Sequence, residues 1–100
     1  MGQPITITTT TVDGVMAAFH TDRGITGQDG VSFESAEVAE GSASMPGDLA
    51  SRMFGSDDAL DHVFIASNQV VARRVGGWDA GSLTAASSLV EAFFVFYADA

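Results

Sequence analysis

An α+β fold, an antiparallel sheet of about four strands with two helices packed on one face, follows from three features of this chain. Residues 5–11 read ITITTTT, an alternation of apolar and β-favouring side chains that suits a pleated strand. Val63 and Ile65, then Val70 and Val71, form two short extended runs on either side of Ser67-Asn68-Gln69. Leu83, Ala86, Val90, Phe93 and Tyr97 recur at spacings of three and four, which a helix gathers onto one side. The predicted order is β-β-α-β-β-α, in one domain spanning residues 1–100.

Taken in order, the first strand meets Asp13-Gly14 between Val12 and Val15, a hairpin signal because both turn residues tolerate positive φ. Residues 15–19 are then the return strand or a kinked extended chain. Residues 21–30 hold three glycines and three charged residues and read as a loop. Val31 and Phe33 open a further strand towards Ala36, and residues 39–44, small and polar, read as a connection. Pro46 suits the first turn of a helix, with Ser44 as its cap and Asp48 favouring its positive end. Leu49 and Met53 share one side of that helix, Phe54 lies beside them, and Gly55 is placed to close it in a left-handed conformation. Gly76-Gly77 breaks the last strand before the closing helix.

Composition limits what such a domain does. Hydrophobic residues make up 46% of 100, enough for a core at a size where folding buries roughly 60–70% of the unfolded surface. Thirteen acids face four basic residues, all arginine, for a formal charge of −9. A surface of that sign repels phosphate backbones and anionic membranes, so neither nucleic acid nor membrane is an expected partner. The acidity suits a salty cytoplasm or a GC-rich genome, or else an acidic face for a basic partner. The longest apolar run, residues 92–98, falls far short of the ~20 residues of a membrane span, and no secretory signal is visible, so a cytoplasmic protein is expected. With no cysteine there is no disulfide, thiolate zinc site or cysteine-held cluster, and no cofactor is expected.

Residues 49–79 carry a resemblance. Leu49 and Met53-Phe54 on the first helix, then Leu60 and Val63-Phe64, are similar to a helix followed by a G-V-x-x-V-F strand. Gln69-Val70-Val71-Ala72-Arg73 resembles a D-F-I/V-S/T-V-x-K strand, and Trp78-Asp79 resembles a tryptophan and acid opening the final helix. Residues 31–36 fit an F-x-S/T second strand. In this order the motifs resemble the N-terminal domain of Nfu-type (NifU-related) iron–sulfur scaffold proteins. The family's proline- and asparagine-rich N-terminal signature is replaced here by TVDGVMAAF over residues 11–19. The resemblance implies a non-catalytic accessory domain that works by protein docking in cluster assembly, beside a cysteine-bearing scaffold, without ligating a cluster itself.

Several side chains invite a sharper reading. Asp57, Asp58, Asp61 and His62 are the densest set of potential metal ligands, and equally a solvated acidic turn. They support, as a lesser alternative, a small metal-dependent enzyme. His20 with Asp22 has the composition of an oriented base or of an exposed loop histidine. Arg73 and Arg74, half of the positive charge, fall on opposite faces of a strand and suit surface ion pairs or an acidic group on a partner. Trp78 is either a core plug or part of a docking surface. In the run from Phe93 to Tyr97, Phe94 and Phe96 spread beyond one helical stripe, so this tail is a strand, is buried under the sheet, or is covered by a partner or second copy. The expected docking residues are therefore Arg73, Arg74, Trp78, Phe94 and Phe96. The alternative is a general interaction or homo-oligomerisation module unrelated to clusters, a homodimer among the possibilities.

Overall fold

In a computed structural model of the chain, residues 6–22, 24, 30–41 and 45–99 are described, the side chains of residues 45 and 94–99 excepted. The architecture is α+β, with β1 (Ile7–Asp13), β2 (Met16–Thr21), β3 (Val31–Phe33), α1 (Ala36–Glu40), α2 (Met45–Ser56), β4 (Leu60–Ala66), β5 (Gln69–Arg74) and α3 (Ala80–Asp99). The strands form one five-stranded sheet in the order β1-β2-β5-β4-β3, every neighbour antiparallel. Two corrections to the sequence reading follow. The sheet has five strands where about four were expected, because both Met16–Thr21 and Val31–Phe33 pair into it. There are three helices where two were expected, because Ala36–Glu40 coils instead of connecting.

That extra helix is a local event. Ser35, in extended backbone, accepts the Val38 N–H on its hydroxyl oxygen at 3.2 Å, and Glu37 sits in the first turn. Only Ala39 of its five residues is buried, so it has no apolar stripe to read from sequence. The first hairpin also differs by one position. Asp13 still pairs with Met16, and Gly14 at φ 61° with Val15 forms the two-residue loop, as in a turn whose first central residue alone is left-handed. Helix α2 runs past Gly55 to Ser56, whose hydroxyl donates to the Met53 carbonyl at 2.9 Å. The predicted cap Ser44 lies outside the described residues. Helix α3 starts on a reciprocal cap: the Ser82 N–H donates to Asp79 Oδ1 at 2.7 Å, and the Asp79 N–H donates to Ser82 Oγ at 2.9 Å. Its backbone stays helical through 94–99, which removes the strand alternative for the tail.

Strand alternation then sorts the side chains. Ala17 and Phe19 of β2, Val70 and Ala72 of β5, and Val63 and Ile65 of β4 all point to the helix layer and are buried. They meet Leu49, Ala50 and Met53 of α2, and Ala86, Val90 and Phe93 of α3, in one core. The buried hydroxyl of Thr21 donates to the Asn68 carbonyl at 3.0 Å, while Asn68 Nδ2 donates to the Thr21 carbonyl at 3.0 Å. The end of β2 is thereby tied to the β4–β5 turn, and no polar side-chain atom is left buried without a partner among the described residues.

Candidate docking face

The other face of the sheet has a different character. Directly opposed residues of antiparallel strands share a face, so the registers define three rows across β2, β5 and β4. At one end Met16 faces Arg73, and Arg73 faces His62. In the middle Ala18 faces Val71, Val71 faces Phe64, and Phe64 faces Ser32 of β3. At the far end His20 faces Gln69, and Gln69 faces Ala66. None of these residues is buried, whereas on the helix side of the same three strands every residue but Arg74 is. An antiparallel sheet with one solvated face ordinarily turns polar side chains outward. Here the middle row is apolar from Ala18 to Phe64.

The rim of this face is charged and pre-arranged. In β4 the register shifts between Leu60 and His62, so Asp61 is the extra residue of a bulge, and such bulges re-aim a side chain. The Asp61 carboxylate accepts from Arg73 Nε at 2.7 Å. That hydrogen bond, followed by the Coulombic pull of Asp61 and of Glu34, raises the Arg73 guanidinium above its ordinary pKa and keeps its charge locally compensated. Asp13 lies opposite Met16 at the same end of the face, so this end holds the Arg73–Asp61 pair, His62 and one further acid, whereas the far end, His20, Gln69 and Ala66, holds none. His20 lies against Gln69, Nε2 to Nε2 at 3.4 Å. Asp22, proposed as its carboxylate partner, instead accepts the Thr6 N–H at 3.0 Å, so the His20–Asp22 base reading loses its geometry.

Of the residues expected to dock, Arg73, Arg74 and Trp78 are not brought onto one face. Arg73 belongs to the open face. Arg74 lies on the helix side, donating from Nε to Asp57 Oδ2 at 2.8 Å and from NH1 to the Gly77 carbonyl at 2.8 Å, a clamp between two turns. Trp78 also lies on the helix side, edge-on to Phe19 at 5.7 Å between centroids and 74° between planes, with Nε1 donating to the Val15 carbonyl at 2.9 Å. Phe94 and Phe96 fall in α3 with side chains outside the described residues. Asp57, Asp58, Asp61 and His62 do not converge. Asp57 is held by Arg74 and Asp61 by Arg73, and no group of three or more potential ligands gathers among the described residues.

Two other concavities lie between α2 and α3. One, lined by Met53, Asp57, Leu60 and Ala86 among others, measures about 40 Å³, room for a water and far below the ~300 Å³ at which ligand pockets begin. The other is an open groove where the Arg52 guanidinium stands 5.5 Å from the Phe93 ring, beside Leu89 and Ala92. Sequence reasoning missed Met16, Ala18, Phe64 and Val71 as one surface. The available signal was adjacency: Phe64 beside Ile65 and Val71 beside Val70 put apolar groups on both sides of a strand.

Fold and face together define a two-layer α+β domain with one helix-covered and one open sheet face. No family model matches the chain, and neither a curated protein nor a solved structure matches it. No described helix is long and apolar enough to cross a membrane.

Proposed function

We propose that this chain is a non-catalytic, cytoplasmic protein-interaction domain that docks through the open face of its sheet, in the service of iron–sulfur cluster assembly. The observation that carries the docking half is the row Ala18–Val71–Phe64, apolar and only half-buried at the centre of the sheet. Apolar surface of this kind gains from cover. Asp13, opposite Met16 at one end of that face, and the net charge of −9 favour a partner with an apolar centre and basic residues beside it.

The cluster-assembly half rests on the resemblance. What supports it is order: helix α2, strands β4 and β5, then Trp78-Asp79 ahead of α3, in the sequence the Nfu N-terminal domain implies. Without cysteine the chain brings no thiolate to a cluster, so its contribution is to hold a cysteine-bearing scaffold. Calorimetric titration of such an Nfu-type scaffold module into the wild type and into Val71→Lys tests both halves. Binding by the wild type and its loss in a folded Val71→Lys variant are expected. No heat with the wild type removes the cluster assignment, and equal binding by Val71→Lys removes the face.

A further inference from the structure

Arg52 forgoes a partner that the sequence sets beside it. It is exposed on α2, four residues after Asp48, the spacing and order at which an acid and an arginine pair well on a helix. That ion pair does not form. Arg52 meets no other carboxylate or hydrogen-bond acceptor among the described residues, whereas Arg73 and Arg74 each hold an aspartate. Arg23 lies outside the described residues. The Arg52 guanidinium turns instead towards α3 and stands over the Phe93 ring, 5.5 Å from its centre. A guanidinium laid against a ring keeps the N–H groups of its edge for a further partner, and their fork matches a carboxylate.

The groove beside it is apolar and short. Leu89, Ala92 and Phe93 of α3 form one wall, and Arg52, Gly55 and Ser56 of α2 the other, around about 370 Å³. Small-molecule sites begin at ~300 Å³. The Ser56 hydroxyl is committed to the Met53 carbonyl, so Arg52 is the anion-binding donor among these side chains. Each wall covers one helical turn, 52–56 and 89–93, about 6 Å of helix axis. A docked helix sets its anchors at i, i+4 and i+7, over roughly 10 Å, and would overrun the groove. One cation in a chain of −9 also suits a single negative charge better than a phosphate or a polyanion.

We infer that the α2–α3 groove is a binding site for a small monocarboxylate with an apolar body, of the kind of a medium-chain acyl acid. The carboxylate sits on the Arg52 fork, and the apolar part lies against Leu89, Ala92 and Phe93. The site is in the helix layer, so its ligand and a partner on the open sheet face occupy opposite sides of the domain. Gly55 offers a way to close it. A Cβ at that position would meet nothing within 4 Å, so the side chain of Gly55→Leu enters free space in the groove, with Arg52 kept and helix propensity raised.

Amide NMR titration of the full chain with octanoate tests this, with octan-1-ol and octylammonium as the neutral and cationic counterparts. Octanoate is expected to shift the amides of 52–56 and 89–93 saturably. It is expected to bind at least ~10-fold more tightly than octan-1-ol, the difference that a charge-assisted hydrogen bond makes. Arg52→Glu is expected to lose octanoate and to take octylammonium at the same amides, which also shows the variant to be folded. Gly55→Leu, with the rest of its amide spectrum in place, is expected to lose octanoate. No saturable shift by about 10 mM octanoate, equal affinity for octan-1-ol, or octanoate binding that either variant leaves unchanged, overturns the inference.

Discussion

Arg73 and Arg74 are neighbours in sequence and work on opposite faces of the sheet, each held by a different aspartate. Arg74 binds Asp57 and the Gly77 carbonyl at the helix side, where both members of the ion pair are about three-quarters buried, at 25% and 23% side-chain exposure. Arg73 binds Asp61 on the open face, at 49% and 41%. Arg74→Ala strands a part-buried carboxylate and a carbonyl, and is expected to destabilise the fold by about 1–3 kcal/mol. Arg73→Ala should leave the midpoint of unfolding in place, because exposed ion pairs contribute little. Urea denaturation of the two variants side by side measures this.

Trp78, the only tryptophan, plugs the helix side over Phe19. Trp78→Ala is expected to cost about 2–4 kcal/mol, from lost burial and the lost hydrogen bond to Val15. Its fluorescence should change fully on unfolding. The same emission should stay constant when a partner docks on the open face, which a fluorescence titration checks.

Gly30 takes φ 67° at the point where the chain enters β3, and a Cβ there would lie 2.6 Å from Ala66 Cβ and 2.9 Å from the Phe64 ring. Both the left-handed backbone and the contact oppose a side chain. Gly30→Ala is expected to destabilise by about 2 kcal/mol or more and to displace Phe64 on the open face. Thermal unfolding gives the first effect, and the ring proton shifts of Phe64 give the second.

Acid should loosen the start of α3. The Asp79 carboxyl is held below its ordinary pKa, first by the Ser82 backbone N–H and then by the Ser82 side chain. A lowered native pKa means that the carboxylate stabilises the fold above the unfolded value of ~3.9. That contribution is lost as pH falls through the native value. Asp79→Asn keeps an acceptor at the cap and removes the titration, so its stability should fall less steeply below about pH 4. Circular dichroism melts across that range decide the matter.

Much of this fold is legible in the sequence where periodicity is strong. The strand read at residues 5–11 appears as Ile7–Asp13, the two strands around Ser67-Asn68 appear as β4 and β5, and Ala86, Val90 and Phe93 of the expected stripe are buried. What was not legible depended on single interactions. Helix α1 hangs on the Ser35 cap and one buried alanine, too little for a pattern. The loop of the first hairpin sits at Gly14-Val15 because only one left-handed residue is used there. The open apolar face was half visible. Paired apolar residues in β4 and β5 announce apolar groups on both sides of the sheet, but which side the helices cover is set by tertiary packing. A tryptophan at a break is apolar in either role, and the sequence does not say on which side of the sheet Trp78 stands; in the structure it is half-buried, packed edge-on against Phe19 at the margin of the core.

The division of the sheet into a structural and a docking face is tested most directly by methyl NMR during titration with a cysteine-bearing Nfu-type scaffold module. Ala17 and Ala18 are adjacent on β2, as are Val70, Val71 and Ala72 on β5, and they alternate between the two faces. The account predicts shifts for the Ala18 and Val71 methyls, with Ala17, Val70 and Ala72 nearly still. Shifts confined to the buried set or to the α2–α3 groove, or none at all at saturating scaffold, would contradict it.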